Sequence, residues 1–288
     1  MTSVGQTQAV FTSAQSRSTP KAARTSAVNA SRDRRVIRYR ARMTDPAPRF
    51  GGLLDRARSS RLLRGVGELV LLGAALLVFT LLHAAMTTDV SVPTANALSL
   101  QAWEKTLHLD VELAANRWLT DHPALVLPAV YYYRLYYLAL VGVLVWTYFR
   151  HTEVYRKGRR ALLVMVALVL PVYWALPMSP PRFSLPGVVD VVALHSPIGN
   201  HAPQASGGQV LYSAMPSMHT AWSLWCAYVA WSALRTSHSR LAPLPWLFPL
   251  GMVATVLTTG NHYVLDLVGS AVLVTASVAA ASALHHRL

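Results

Sequence analysis

Gly260-Asn261-His262-Tyr263-Val264-Leu265-Asp266 leads into an apolar run that lasts to Leu284. About 20 apolar residues cross a bilayer as a helix, so this stretch reads as a transmembrane span. A histidine stands at its mouth and an aspartate in its first turn. Ionisable groups at membrane depth are costly and mark functional sites. His262 and Asp266 are four residues apart, which sets them on one helical face if the helix starts near Asn261.

The rest of the chain has the same character. It has 288 residues, 53% hydrophobic and 13% charged, with the apolar residues clustered. Six spans are predicted, at 65–86, 124–149, 161–178, 220–234, 243–259 and 263–284. The fold class is therefore all-α: a polytopic membrane protein with six transmembrane helices, an outer interfacial helix and a disordered basic tail. The tail is assigned to residues 1–60 and the membrane domain to 61–288. Residues 1–60 are rich in Ser, Thr, Ala and Arg and lack sustained periodicity. The first apolar run lies far behind the N-terminus and reads as an uncleaved anchor.

The net charge of +14 is unevenly placed. Of the 26 Lys and Arg, 22 fall on one side of the six-span arrangement; Lys105, Arg117, Arg134 and Arg182 fall on the other. Loops of this bias face the cytoplasm, so both termini are expected there. The basic tail has no aromatic interleaving to stack bases, so no nucleic-acid partner is expected. Cys226 is the one cysteine, which excludes a disulfide within the chain; inside a span it reads as a small packing residue.

The polar residues within this topology gather at one face. In Leu176-Pro177-Met178-Ser179-Pro180-Pro181-Arg182, the prolines stop the third span and leave Arg182 at its outer edge. Met215-Pro216-Ser217-Met218-His219 opens the fourth span, also on the outer side. His262 and Asp266 open the sixth there. A carboxylate on one ring nitrogen fixes a histidine's tautomer and leaves the other nitrogen free to attack. Ser217 and His219 follow a proline at a helix start, where free N–H groups favour an anion. Arg182 can grip two oxygens of a phosphate. Arg134, in the Tyr131–Tyr137 run of the second span, is a further cation in or near the membrane; snorkelling to the surface is its competing reading. Between the first two spans, Trp103, Leu107, Val111, Ala114 and Trp118 recur at steps of three and four. That spacing predicts one interfacial helix with Glu104, Lys105, Asp110 and Glu112 off its apolar face. His195 and His201 share the outer loop but make no zinc pattern, and no metal is expected.

Three motifs in order resemble the type 2 phosphatidic acid phosphatase superfamily, over roughly residues 103–284. Met215-Pro216-Ser217-Met218-His219 resembles its Pro-Ser-Gly-His motif, with Met for Gly. His262-Tyr263-Val264-Leu265-Asp266 matches its His-x-x-x-Asp. Pro180-Pro181-Arg182 resembles the end of the first motif in the inositol phosphorylceramide synthase-like (aureobasidin-resistance) branch. The resemblance implies a lipid phosphatase or phosphotransferase without metal or cofactor. It implies His262 as nucleophile, Asp266 as its orienter and His219 as proton donor, with Ser217 and Arg182 binding phosphoryl oxygens. Its implied substrates are membrane lipid phosphates: phosphatidic acid, isoprenyl phosphates or phosphoinositides. A lysine and an arginine common in the family are replaced by Ala175 and Val256. Arg134 is the candidate substitute, and the losses leave a second reading, a lipid carrier or scaffold that keeps the fold. The Ala- and Arg-rich composition fits a GC-rich bacterium, which places the active face outside the plasma membrane.

Overall fold

The computed structural model describes residues 50–85, 89–195 and 212–287. By Cα packing the chain divides into Met1–Glu68 and Leu69–Leu288. Most of the basic tail, and His201, lie outside the described residues. Helix α1 (Phe50–Ala84) begins within the segment assigned to the tail and crosses the division. The second unit contains α2 (Ser91–Thr106), α3 (Glu112–Thr120), α4 (Pro123–Arg150), α5 (Thr152–Ala175), the short α6 (Pro181–Ser184) and α7 (Val191–His195), α8 (Met218–Ser237), α9 (Leu247–Thr258) and α10 (Val264–Arg287). Among the described residues there is no β-strand, only an isolated bridge between Met178 and Ser213.

Four helices are long and apolar enough to cross a membrane: Leu63–Ala84, Pro123–Arg150, Thr152–Ala175 and Val264–Leu284. The fourth and fifth predicted spans correspond to α8 and α9. Helix α9 is apolar but only 12 residues long. Helix α8 has 20 residues and is packed on α4, α5, α9 and α10. Protein covers much of its surface, including Thr220, Ser223, Trp225 and Cys226. A helix so enclosed does not need the uniform hydropathy of a lipid-facing one.

Close helix contact in membranes depends on small residues, because lipid removes most of the hydrophobic drive between helices. Gly158 of α5 provides such a contact: a Cβ there would lie 2.9 Å from Val229 Cγ2 of α8. The approach lets Trp225 Nε1 donate to the Gly158 carbonyl at 3.0 Å, satisfying an indole that is almost fully buried. On the other side, Tyr173 of α5 donates its hydroxyl to Pro216 O at 3.1 Å and so fixes the approach to α8.

The segment expected to form one helix over Trp103–Trp118 forms two. The chain breaks between Thr106 and Glu112, where His108 takes a positive φ of 56°. The apolar residues of the pair face outward and two of the acids face inward. Trp103, Leu107 and Trp118 are 64%, 54% and 50% exposed, whereas Glu104 and Glu112 are 0% and 1% exposed. Period alone locates an apolar stripe but not the medium that stripe faces; here the acids point inward.

Candidate active site

The ends of α5, α8, α9 and α10 on one side of the bundle converge on His262. Helix α9 ends at Thr258 and the chain reverses at Gly260, whose φ is +69°. A side chain there would meet Val188 Cγ1 at 2.6 Å, so both space and backbone favour glycine. The turn is closed by Asn261 N–H and His262 N–H, which donate to Val256 O at 3.0 and 3.3 Å.

His262 is buried. Its Nδ1 lies 2.9 Å from Ala214 O and 3.4 Å from Asp266 Oδ2. Both partners are acceptors, so Nδ1 carries the proton and Nε2 keeps its lone pair. Asp266 is fully buried, and its Oδ2 also accepts Tyr263 N–H at 2.8 Å. The pair inferred from four-residue spacing is thus in contact. The backbone carbonyl of Ala214 is the shorter partner, and no sequence motif pointed to it.

His219 lies in the first turn of α8, with its ring centroid 5.8 Å from that of His262. Two tyrosines hold it. Tyr133 stacks on the ring at 4.1 Å and Tyr136 meets it edge-on at 4.6 Å. These tyrosines are three apart on α4, hence on one face. Membrane interfaces favour tyrosine and account for most of the run by composition; the three-residue step was the signal for a shared face.

Ser217 is fully buried at the N-cap of α8. Its hydroxyl accepts Thr220 N–H at 3.3 Å and donates to Thr220 Oγ1 at 3.1 Å. The serine therefore shapes the helix start, and the next backbone N–H groups, of Met218 and His219, are those a helix cannot bond internally. Ser270 ties the two helix starts together, its hydroxyl lying 2.8 Å from Ser217 O and 2.7 Å from Asp266 O.

Arg182 lies in α6, whose N-terminus is set by Pro180 and Pro181. Its backbone N–H donates to Gly260 O at 2.9 Å, and its Nη1 donates to Asn261 Oδ1. Its Nε is 3.1 Å from Asp190 Oδ2, an ion pair that is partly exposed. Asn261 also accepts from Tyr133 OH at 3.3 Å and donates to Thr259 Oγ1 at 2.7 Å. Asn261 links the arginine to the tyrosine that stacks on His219, and neither Asn261 nor Tyr133 was singled out from sequence. Arg134 is half-buried beside Tyr133, and its charge reaches Tyr133, Tyr136 and His219. Of the two positions that depart from the motif, Ala175 ends α5, and Val256 is fully buried beside Tyr136 and Met252.

His195 ends α7 with its ring nitrogen 3.2 Å from Val191 O of its own helix. Among the described residues, no group of three or more His, Cys, Asp or Glu is arranged to hold a metal ion. The arrangement has one imidazole with a free nitrogen, a second imidazole beside it, a guanidinium and an open helix N-terminus. That set can attack, protonate and hold a phosphoryl group.

The family model described as the PAP2 superfamily matches residues 98–280, which contain all six candidate residues. No curated protein and no solved structure matches the chain.

Proposed function

Because this chain belongs to the PAP2 superfamily, for which phosphatase-type chemistry on phosphate esters is the general activity, we propose that it is an integral-membrane lipid phosphatase or phosphotransferase working through a phosphohistidine. The observation that carries this reading is the His262 tautomer: Nδ1 is committed to Ala214 O and Asp266, so Nε2 is the attacking atom. In the first step Nε2 forms a bond to phosphorus while the bond from phosphorus to the lipid alcohol oxygen breaks. His219 gives that oxygen its proton. In the second step His219 takes a proton from water or an alcohol, whose oxygen attacks phosphorus and releases His262. Arg182 and the first amides of α8 hold the phosphoryl oxygens, and Ser217 sets those amides in place. Stabilising the charge on the transferring group is the main catalytic effect. Arg134 supplies further positive potential where Ala175 and Val256 leave none.

In this reading α8 and α9 complete a bundle of six spans, with α2 and α3 lying at the outer interface on their exposed tryptophans. Both termini are cytoplasmic and the site is extracytoplasmic, as the charge bias favours. Residues 1–60 are a basic tail and 61–288 the catalytic domain. Pro180-Pro181-Arg182 tilts the chain toward the inositol phosphorylceramide synthase-like branch, and so toward transfer to an alcohol. The test is incubation of the purified protein with mixed lipid phosphates, with and without inositol, followed by mass analysis of products. Vanadate-sensitive turnover supports the proposal. Its absence across the panel favours the carrier or scaffold reading.

Asp190 gives this site a measurable handle. Incoming phosphate must compete with the Asp190 carboxylate for Arg182. A partly exposed pair is worth up to about 1 kcal/mol, so Asp190→Asn is expected to lower KM by up to about 5-fold with little change in kcat. Steady-state kinetics on one lipid phosphate checks this; a raised KM instead assigns Asp190 to orienting the arginine.

A further inference from the structure

Two acids outside every motif grip the helix that carries the site. Glu104 is in the last turn of α2 and Glu112 is the first residue of α3. Glu104 Oε1 accepts Leu265 N–H at 2.6 Å, and Glu112 Oε1 accepts Val264 N–H at 3.3 Å. With Asp266 Oδ2 on Tyr263 N–H, three successive amides at the start of α10 each meet a carboxylate from a different helix. A helix N-terminus does attract anions. One carboxylate already caps this one, however, and the other two are carried from 161 and 152 residues away into full burial.

The placement of these bonds gives them their consequence. Val264 and Leu265 lie between His262 and Asp266 in the chain. Any shift of that turn changes the Nδ1 to Oδ2 distance, already 3.4 Å, and the aim of Nε2. The two carboxyls accept from adjacent amides of one turn, so two full negative charges there repel each other. Glu104 Oε2 is buried without a hydrogen-bond partner, where a proton removes the cost of an unpaired buried charge.

We propose that Glu104 and Glu112 are positioning residues, a buried acid pair that locks the first turn of α10 and thereby aims His262 at phosphorus. The proposal rests on His262 being the nucleophile. The groups that face the pair are Asp266 and Tyr263 from the start of α10 and Asp110 from the link between α2 and α3. The aspartates repel a second negative charge. Burial, then the neighbouring carboxylates, push Glu104 from its ordinary 4.5 up to about 8, and burial raises Glu112 as well. The folded state thus holds this proton more tightly than the unfolded chain. Its stabilisation is full below about 4.5, declines as pH rises and is lost by about 8. Above that, two buried carboxylates repel beneath the catalytic turn.

The discriminating variant is Glu104→Gln. Its amide oxygen still accepts from Leu265, and it carries no charge at any pH. Wild-type kcat is expected to fall above about pH 8 with one deprotonation. Glu104→Gln should keep kcat at about pH 6.5 within about 3-fold and lose that alkaline fall, whereas Glu104→Ala should lose about 100-fold in kcat at unchanged KM. An alkaline fall that persists unchanged in Glu104→Gln overturns the proposal. Hydrogen exchange of the segment 261–267 separates this from the functional reading. At about pH 9 the segment should be more protected in Glu104→Gln than in wild type, whether or not any lipid is turned over. Equal protection overturns the anchoring role itself. Turnover that survives His262→Ala overturns the functional reading while leaving the exchange result to stand or fall alone.

Discussion

His262→Ala is expected to lower kcat by about 10⁴-fold or more, the scale seen when a nucleophile is removed from a unit of cooperating groups. The magnitude follows from how the ring is held. Ala214 O and Asp266 occupy Nδ1, so Nε2 is the ring nitrogen left to attack. Alanine removes the attacking atom, leaves the Ala214 carbonyl without its donor and leaves Asp266 Oδ2 with Tyr263 N–H alone. Leaving such groups unpaired costs about 1–3 kcal/mol of stability. Thermal unfolding in detergent therefore accompanies the kinetics. His262→Gln keeps a side-chain N–H within the pocket and separates loss of fold from loss of chemistry. A folded His262→Gln with near-wild-type turnover would remove His262 from the mechanism.

The second large effect belongs to His219, and it depends on the leaving group. A lipid alkoxide is a poor leaving group without a proton, so His219→Ala should cost about 10²–10⁴-fold with a lipid phosphate. A nitrophenyl ester departs as a stable anion and needs no proton. With that substrate the first step should lose little. Tyr133 and Tyr136 pack the His219 ring at 4.1 and 4.6 Å, so its removal also leaves a gap between the rings. A merely structural disturbance would slow both substrates alike. Equal losses would show that His219 supports the site instead of protonating the leaving oxygen.

The three motifs could be read because each lies at a helix end, where punctuation by proline and the onset of apolar residues is local information. Their meeting required only a consistent count of spans, since Arg182, His219 and His262 then face one side. What could not be read is what acts across the fold. Ala214 contributes a backbone carbonyl, which has no residue signature. Asn261 neighbours His262, but nothing in its type shows that it joins Arg182 to Tyr133. The glutamates were placed off the apolar stripe of an interfacial helix, but nothing in the spacing showed that they reach the amides of α10. In a membrane protein the same stripe is the outward face, and the acids opposite it reach the interior. Ser217 was assigned to substrate by resemblance, whereas its hydroxyl bonds place it at the α8 cap.

The covalent route fixes the stereochemistry at phosphorus. Each in-line displacement inverts the centre, so attack by His262 followed by attack by the acceptor gives net retention. The most direct measurement is the stereochemical course of one turnover on a lipid phosphorothioate made chiral at phosphorus with oxygen isotopes, with the third isotope in the water when water is the acceptor. Retention is predicted. Inversion would mean that the acceptor attacks the lipid phosphate directly, and it would contradict a phosphohistidine on His262.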